Sequence, residues 1–252
     1  MERPPPVMSS ESPILGTPAL ATNDRSVEVP WALQRVGSAR RVLDVGCSTS
    51  DHLAELTLGE PSGGRRVYGL DPDAARLIGN AGILKGTIVA PPFPAGSFDL
   101  ILCISTVVHI GLPIYGQHEF PHGDILAMRH MRRLLAPGGR LVLTVPFGRA
   151  QVNPWFRVYD RRGLRWLAGG FRTLSAAFYR LRPEGEGCYE PCRAADLRAA
   201  GYDFEHMRSE GVALAELTPS GPLAFLLVRA LTRLGFLLDR LRGKEKPFLS
   251  PS

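Results

Sequence analysis

The chain of 252 residues has no run of about 18 apolar residues free of charge, the length a membrane-spanning helix needs, so no spanning helix is expected. Its opening residues, MERPPPVMSS, hold no apolar core, and no secretory leader is expected there. Cysteine is scarce. Cys47 and Cys103 fall in apolar segments, which argues against a disulfide framework. Cys188 and Cys192 stand in a polar loop without the further Cys or His that a structural zinc site requires. These absences point to a cytoplasmic chain. No basic run is interleaved with aromatics, so the formal charge of +6 reads as general arginine richness and not as a nucleic-acid platform. Glycine is missing where a nicotinamide-binding loop needs it: Gly46 is the one glycine between residues 41 and 50, so a dinucleotide fingerprint is absent.

What is present is an ordinary globular composition, 44% hydrophobic and 21% charged, long enough for one α/β domain with a sizeable core. Its organising stretch is RVLDVGCSTS, residues 41–50. Val42 to Val45 is a short apolar run of the kind that forms a buried parallel strand. The small residues Gly46, Cys47, Ser48, Thr49 and Ser50 then let backbone approach a ligand closely. Asp44 would stand at the strand's carboxyl end, the edge where open α/β sheets bind ligands. A second strand-like run, Arg66 to Leu70, ends in Asp71. Two compatible roles stand for Asp71: accepting hydrogen bonds from ribose hydroxyls, or capping the helix that starts at Pro72.

Four segments in order then resemble the class I S-adenosylmethionine-dependent methyltransferases: RVLDVGCSTS, VYGLDPD (67–73), PFPAGSFDLILCIS (92–105) and LLAPGGRLVLTVP (134–146). The resemblance spans residues 38–148 and departs from the family at Ser48 and Ser50, where glycines are usual. It implies a Rossmann-like, seven-stranded, mostly parallel sheet with helices on both faces and an antiparallel last strand. It also implies S-adenosylmethionine as cofactor. Asp44, Gly46, Cys47 and Ser48 would then shape the methionine end and Asp71 with Pro72 the ribose. Thr87 and Ile88 would meet the adenine, with Ile104 lining the same site. The family usually has an acid where Thr87 stands, so adenine recognition would rest on the Thr87–Ile88 backbone and apolar contact.

Along the chain, residues 1–25 read as a Pro- and Ser-rich disordered tail and 26–219 as the methyltransferase domain. A lead-in helix is expected from Pro30, with Trp31 either covering the cofactor site or plugging the core. His52 opens the first helix, facing the cofactor's carboxylate or solvent. A helix is expected over Ala74–Ile78, a third strand at Gly86–Val89, and a fourth at Phe98–Ser105. A helix follows from Gly123 to Ala136 with Asp124 as N-cap, stopped by Pro137-Gly138-Gly139, and a fifth strand at Leu141–Val145. Residues 222–242 form a basic amphipathic helix, for which packing on the domain, on a second subunit or on an anionic membrane all remain open.

Methyl transfer needs an aligned acceptor and, for a hydroxyl or ammonium, removal of a proton. Candidates follow the fourth strand. The family often has an acid–His pair there; Val108 replaces the acid and His109 remains, as a base or as a packing residue. His118, Glu119 and His122 share the next loop without metal-ligand spacing, and no metal is expected. Arg149, Arg157, Tyr159 and Asp160 either line a pocket for an anionic or sugar-like acceptor or are surface groups. The fourth strand lacks the Asn/Asp-Pro-Pro-aromatic ending of enzymes that methylate nucleic-acid bases. The expected activity is methyl transfer to a small-molecule, glycan or lipid-like acceptor; the alternative is a catalytically inactive binding module of the same fold.

Overall fold

The computed structural model describes residues 23–48, 50, 52–58, 64–73, 82–115, 119–120, 122–182, 188–206 and 208–221. Residues 1–22 of the expected tail, the helix over Ala74–Ile78, His118 and the amphipathic segment 222–242 lie outside the described residues. Helix α1 (Arg25–Leu33) is followed by β1 (Arg41–Val45), α2 (His52–Leu58), β2 (Arg66–Asp71), β3 (Gly82–Lys85) and β4 (Phe98–Ile104). A 3-10 turn at Val107–His109 leads to α3 (Gly123–Leu134) and β5 (Leu135–Pro146). Then come the hairpin of β6 (Gln151–Val152) and β7 (Arg157–Val158), α4 (Arg161–Leu167), β8 (Phe171–Leu181) and β9 (Tyr189–Cys192). A 3-10 turn at Ala194–Leu197, the pair β10 (Tyr202–Asp203) and β11 (Arg208–Ser209), and β12 (Gly211–Pro219) complete the chain order.

The main sheet runs β3-β2-β1-β4-β5-β12-β8-β9. Its first five strands are parallel, and β12 lies antiparallel between β5 and β8. The sheet has eight strands, not seven, because β9 adds to the outer edge of β8. β1 and β4 are buried on both faces, which explains why both read as near-continuous apolar runs. From β3 the chain crosses back to pair β4 with the other edge of β1. That reversal opens a crevice at the carboxyl ends of β1 and β4, where α/β sheets hold ligands.

Two apolar clusters sandwich the sheet. Trp31, Ala32, Leu53 and Leu56 from α1 and α2 pack with Val42, Leu100 and Leu102 on one face. Ala127, Met128, Met131 and Leu134 from α3 and Leu167 from α4 pack with Leu43, Ile101 and Leu143 on the other. The α3 residues follow helical spacing, and each buried side chain of this size contributes about 1.5–3 kcal/mol. Trp31 is therefore a core residue, stacked under the Arg35 guanidinium 3.3 Å from its ring centre.

Four local expectations are corrected. Helix α1 starts at Arg25, not Pro30, and carries Pro30 inside it. Side-chain anchors hold its first turn: Arg25 Nη1 donates to the Ile104 carbonyl (3.1 Å) and Ser105 Oγ to Glu28 Oε1 (2.6 Å). The third strand lies at Gly82–Lys85, before the β-branched run, because pairing to β2 ends at Asp71 and Gly86 N makes the last bond to the Asp71 carbonyl (2.9 Å). Thr87 to Val89 then turns, and Ile88 packs into the core. Asp124 is not the N-cap of α3; His122 occupies that position with φ 58°. A Cβ on Gly123 would lie 2.7 Å from Gly111 Cα, so the helix starts flush against the loop after β4, and Asp124 sits buried in its first turn. There its carboxylate accepts from Tyr159 Oη (2.8 Å) and lies 3.8 Å from Arg157 Nε. Finally, α3 ends at Leu134 and β5 already begins at Leu135, with Pro137-Gly138 exposed where the pairing to β4 shifts register.

Candidate functional site

The carboxyl ends of β1, β2 and β4 bring together most of the residues singled out in the sequence. Gly46 leaves β1 at φ 82°, and a Cβ there would overlap the Thr106 side chain beyond β4. Only glycine fits both demands. Gly46 N donates to the Leu70 carbonyl (3.0 Å), which ties the loop to the end of β2. Ser48 N then donates to Asp71 Oδ2 (3.0 Å), and Asp73 N to Asp71 Oδ1 (2.8 Å). Asp71 is buried at the rim, yet each carboxylate oxygen retains acceptor capacity beyond its one N–H. Pro72 follows it, exposed. Both roles proposed for Asp71 are thus geometrically open, since it braces the backbone of Asp73 while keeping lone pairs.

Asp44 and Asp71 lie at the same rim, with Cys47 between them. Burial first, and then the charges of both acids, push the Cys47 thiol up to about 12, so it stays a neutral packing group. Its Sγ rests where a side chain on Gly69 would go. Asp44 itself is turned inward: its Oδ2 lies 3.1 Å from His52 Nε2, and both side chains are buried. His52 is neither solvated nor at the rim. The pair locks the first residue of α2 to the end of β1 and so fixes the loop between them.

At the expected adenine end, the side chains of Thr87 and Ile88 are engaged within the protein. Ile88 belongs to the core cluster, and Thr87 Oγ1 accepts from Val89 N (3.4 Å). The backbone at Gly86 remains beside Asp71. Ile104 is buried in the other core cluster and presents only its carbonyl, which accepts from Arg25 and from Thr106 Oγ1 (3.1 Å).

Beyond β4 a second group gathers. Ser105 has φ 46°, a strained value for a residue other than glycine, and its N–H donates to Thr144 Oγ1 (2.9 Å). Its hydroxyl reaches Glu28, which is fully buried and whose Oε2 makes no hydrogen bond; Arg25 Nε stands 3.9 Å from that oxygen. Burial, and then the Glu28 charge, raise the neighbouring Asp24 carboxyl to about 7. His109 Nδ1 lies 2.6 Å from the Trp155 carbonyl, so Nδ1 carries the proton as donor and Nε2 is left as the basic nitrogen. Burial holds this imidazole below its ordinary value, with the charges of Arg25 and Arg157 acting the same way, so it is neutral at pH 7. The Tyr115 ring stands edge-on to His109, 5.6 Å between centres.

Sequence reasoning missed Arg25, Glu28, Ser105 and Tyr115. One signal was available: Glu28 stands between Val27 and Val29 and three residues before Trp31, an acid on the apolar side of a short helix. Of the residues after β5, Arg157 and Tyr159 are buried against Asp124, and Arg157 Nη1 also donates to the carbonyls of Val108 (3.2 Å) and Ile110 (2.9 Å). They brace the loop that carries His109. Arg149 and Asp160 instead line a separate cavity.

A family model described as a methyltransferase domain matches residues 21–207. The demethylmenaquinone methyltransferase of Thermus thermophilus is 29% identical over 192 residues, covering 71% of this chain and 80% of that protein. The demethylmenaquinone methyltransferase of Deinococcus radiodurans is 31% identical over 179 residues, covering 66% and 68%. Among solved structures, a chain from the complex of a Haloferax volcanii methyltransferase activator with a putative methyltransferase superposes with a TM-score of 0.51 at 16% identity, covering 77% of this chain and 89% of that one. The PH0226 protein of Pyrococcus horikoshii gives a TM-score of 0.50 at 15% identity, covering 78% and 89%. These two are likenesses of fold.

Proposed function

Given that the chain belongs to the class I S-adenosylmethionine-dependent methyltransferases, we propose that it transfers a methyl group to a small-molecule or lipid-like acceptor at the rim between Asp71 and His109. The observation that carries this reading is that two groups stand beyond the ends of the two strands that flank β1: Asp71 at β2, a carboxylate with spare acceptor capacity, and His109 after β4, a neutral imidazole whose Nδ1 is held by the Trp155 carbonyl.

The donor set suits the cofactor at its ribose end. Asp71 would accept from ribose hydroxyls, and Gly46, Cys47 and Ser48 would supply a close backbone path beside the methionine end. Asp44 acts behind them, through His52, as a positioning residue. An adenine contact would fall on the backbone around Gly86 and Thr87, where Gly86 N is bonded to the Asp71 carbonyl and the Thr87 carbonyl to Ala90 N, with Pro72 exposed nearby. When bound, S-adenosylmethionine supplies an electrophilic methyl group on a sulfonium. The protein's own part is to orient the acceptor and take its proton. His109 Nε2 accepts that proton, and the Trp155 carbonyl holds the imidazole in the tautomer that can do so. The two relatives named demethylmenaquinone methyltransferase favour a phenol-like or quinol-like acceptor of low polarity, for which one proton must leave with methylation.

Calorimetry with S-adenosylhomocysteine, followed by methyl-transfer assays over a panel of quinols, phenols and sugars, tests the reading. Binding with turnover on at least one hydroxyl acceptor is the expected result. Tight binding with no turnover on any acceptor would support the non-catalytic alternative, and no binding would remove both.

A further inference from the structure

The hairpin whose turn holds His109 through Trp155 also borders, through Gln151 and Val152, a cavity of about 470 Å³. That volume lies within the range of roughly 300–1,000 Å³ typical of small-molecule sites. Five arginines line it: Arg149 beyond β5, Arg161, Arg162 and Arg165 on α4, and Arg198 after the turn Ala194–Leu197. Among the described residues Asp160 is the one acid on its wall, and its Oδ1 is already engaged by Gly163 N (2.7 Å). Arg149, Arg161, Arg165 and Arg198 against the one carboxylate leave a net positive charge around the concavity among the described residues. Among the described residues no carboxylate pairs with Arg149, Arg161, Arg165 or Arg198.

The walls are set by backbone bonds, not by these charges. Gly148 N donates to the Tyr159 carbonyl (2.9 Å) and Arg149 N to the Ala200 carbonyl (2.7 Å), which stitches the end of β5 to the start of α4 and to the segment after the 3-10 turn. The buried side chains of Phe147 and Leu197 form its apolar base. The fold thus gathers exposed like charges from three separate segments around one concavity, a cluster whose combined field attracts an anion. Guanidinium forks match phosphate oxygens two at a time.

We propose that this cavity is a binding site for a diphosphate-class anion. The site stands on the cavity and its charges alone. That such a group is the anionic end of the methyl acceptor rests on the function proposed above and on the shared hairpin.

The test titrates inorganic pyrophosphate and, separately, uridine diphosphate into the full chain by calorimetry, alongside S-adenosylhomocysteine. The expected result is one-to-one binding of pyrophosphate with a Kd near or below about 0.1 mM, the weak end of specific affinities. The double variant Arg161→Gln/Arg198→Gln should weaken it at least about ten-fold and leave S-adenosylhomocysteine affinity unchanged, which certifies the fold. Tighter binding of uridine diphosphate than of pyrophosphate identifies phosphate borne on a larger molecule; equal binding identifies free phosphate, and either supports the site. No binding of either anion to the wild type, or equal binding to the variant, overturns it. Pyrophosphate binding without S-adenosylhomocysteine binding would retire the methyl-transfer reading and leave the anion site standing.

Discussion

The rim at the ends of β1 and β2 and the rim beyond β4 solve the same problem in opposite ways. At the first, the chain turns sharply on a glycine, Gly46 at φ 82°, and every acid is engaged: Asp44 by His52, Asp71 by two backbone N–H groups. At the second, the sharp turns fall on side-chain-bearing residues. Ser105, Tyr115 and His122, all of the described non-glycine residues with left-handed φ, lie between β4 and α3. The same region holds a buried carboxylate oxygen without a hydrogen bond, on Glu28. Strain and unsatisfied polarity are tolerated where packing over-determines them, and they collect at sites that act on ligands. The contrast teaches that the proposed cofactor half is built to hold a fixed shape and the proposed acceptor half to hold strained and unsatisfied groups.

The largest break in that contrast should come from His109. Removing a positioned base costs typically 10²–10⁴-fold, so His109→Gln should lower kcat by about that factor and leave the Kd for S-adenosylhomocysteine unchanged. Because burial holds the imidazole below its ordinary value, the acid limb of kcat should have its midpoint below about pH 6.5. A variant that loses cofactor affinity and turnover together would show that the two rims are not separable. Asp71→Ala comes next. It removes a charged acceptor of two backbone N–H groups as well as the ribose partner, and hydrogen bonds to charged groups contribute about 1.5–3 kcal/mol each. Affinity for S-adenosylhomocysteine should drop at least about 30-fold by calorimetry; an unchanged Kd would leave Asp71 as a structural brace alone.

The same contrast decides what could be read from the sequence. Strands β1, β2 and β4 announced themselves as apolar runs with breakers at their ends, because strands of this kind owe their burial to pattern. The loop at Gly46 and the acid at Asp71 were legible because local backbone geometry demands small residues and a terminal acceptor there. Thr87-Ile88-Val89 misled, since β-branched residues also suit a turn whose one apolar side chain plugs the core, and only the end of β2 pairing shows which holds. His52 misled for a similar reason: its partner, Asp44, lies eight residues away across a loop, at no regular spacing. The acceptor half was least legible. Glu28 meets Ser105 across 77 positions, and His109 meets Trp155 across 46, so those contacts exist only once the sheet has closed.

A smaller effect sharpens the comparison from the stability side. Glu28→Gln keeps an oxygen to accept from Ser105 and removes a buried charge whose second oxygen has no hydrogen bond. Uncompensated buried charge is costly, and Arg25 at 3.9 Å offsets only part of it. The variant should gain about 1 kcal/mol and about 2–4 °C in Tm, the shift expected for a domain of this size. A fall in Tm would mean that the Arg25–Glu28 contact is net favourable and that the acceptor half is no more strained than the cofactor half.

The smallest effect is the pH dependence of how α1 sits on the sheet. Asp24 precedes the helix, and its carboxyl is raised from 3.8 to about 7, first by burial and then by Glu28, with Arg25 acting against both. An acid whose folded pKa lies above its unfolded value favours the folded state most when protonated. Its contribution is full below about pH 4 and is lost as pH rises through about 7. Amide exchange in Arg25–Leu33 should therefore be slower at pH 5.5 than at pH 8 once the intrinsic rate is corrected, while β1 and β4 show no such change. In Asp24→Asn the difference should vanish, because no proton is then gained or lost at that position. If the variant keeps the pH dependence, the groups responsible are others at the rim, and the tie between α1 and the end of β4 runs through the Arg25–Ile104 and Ser105–Glu28 bonds without Asp24.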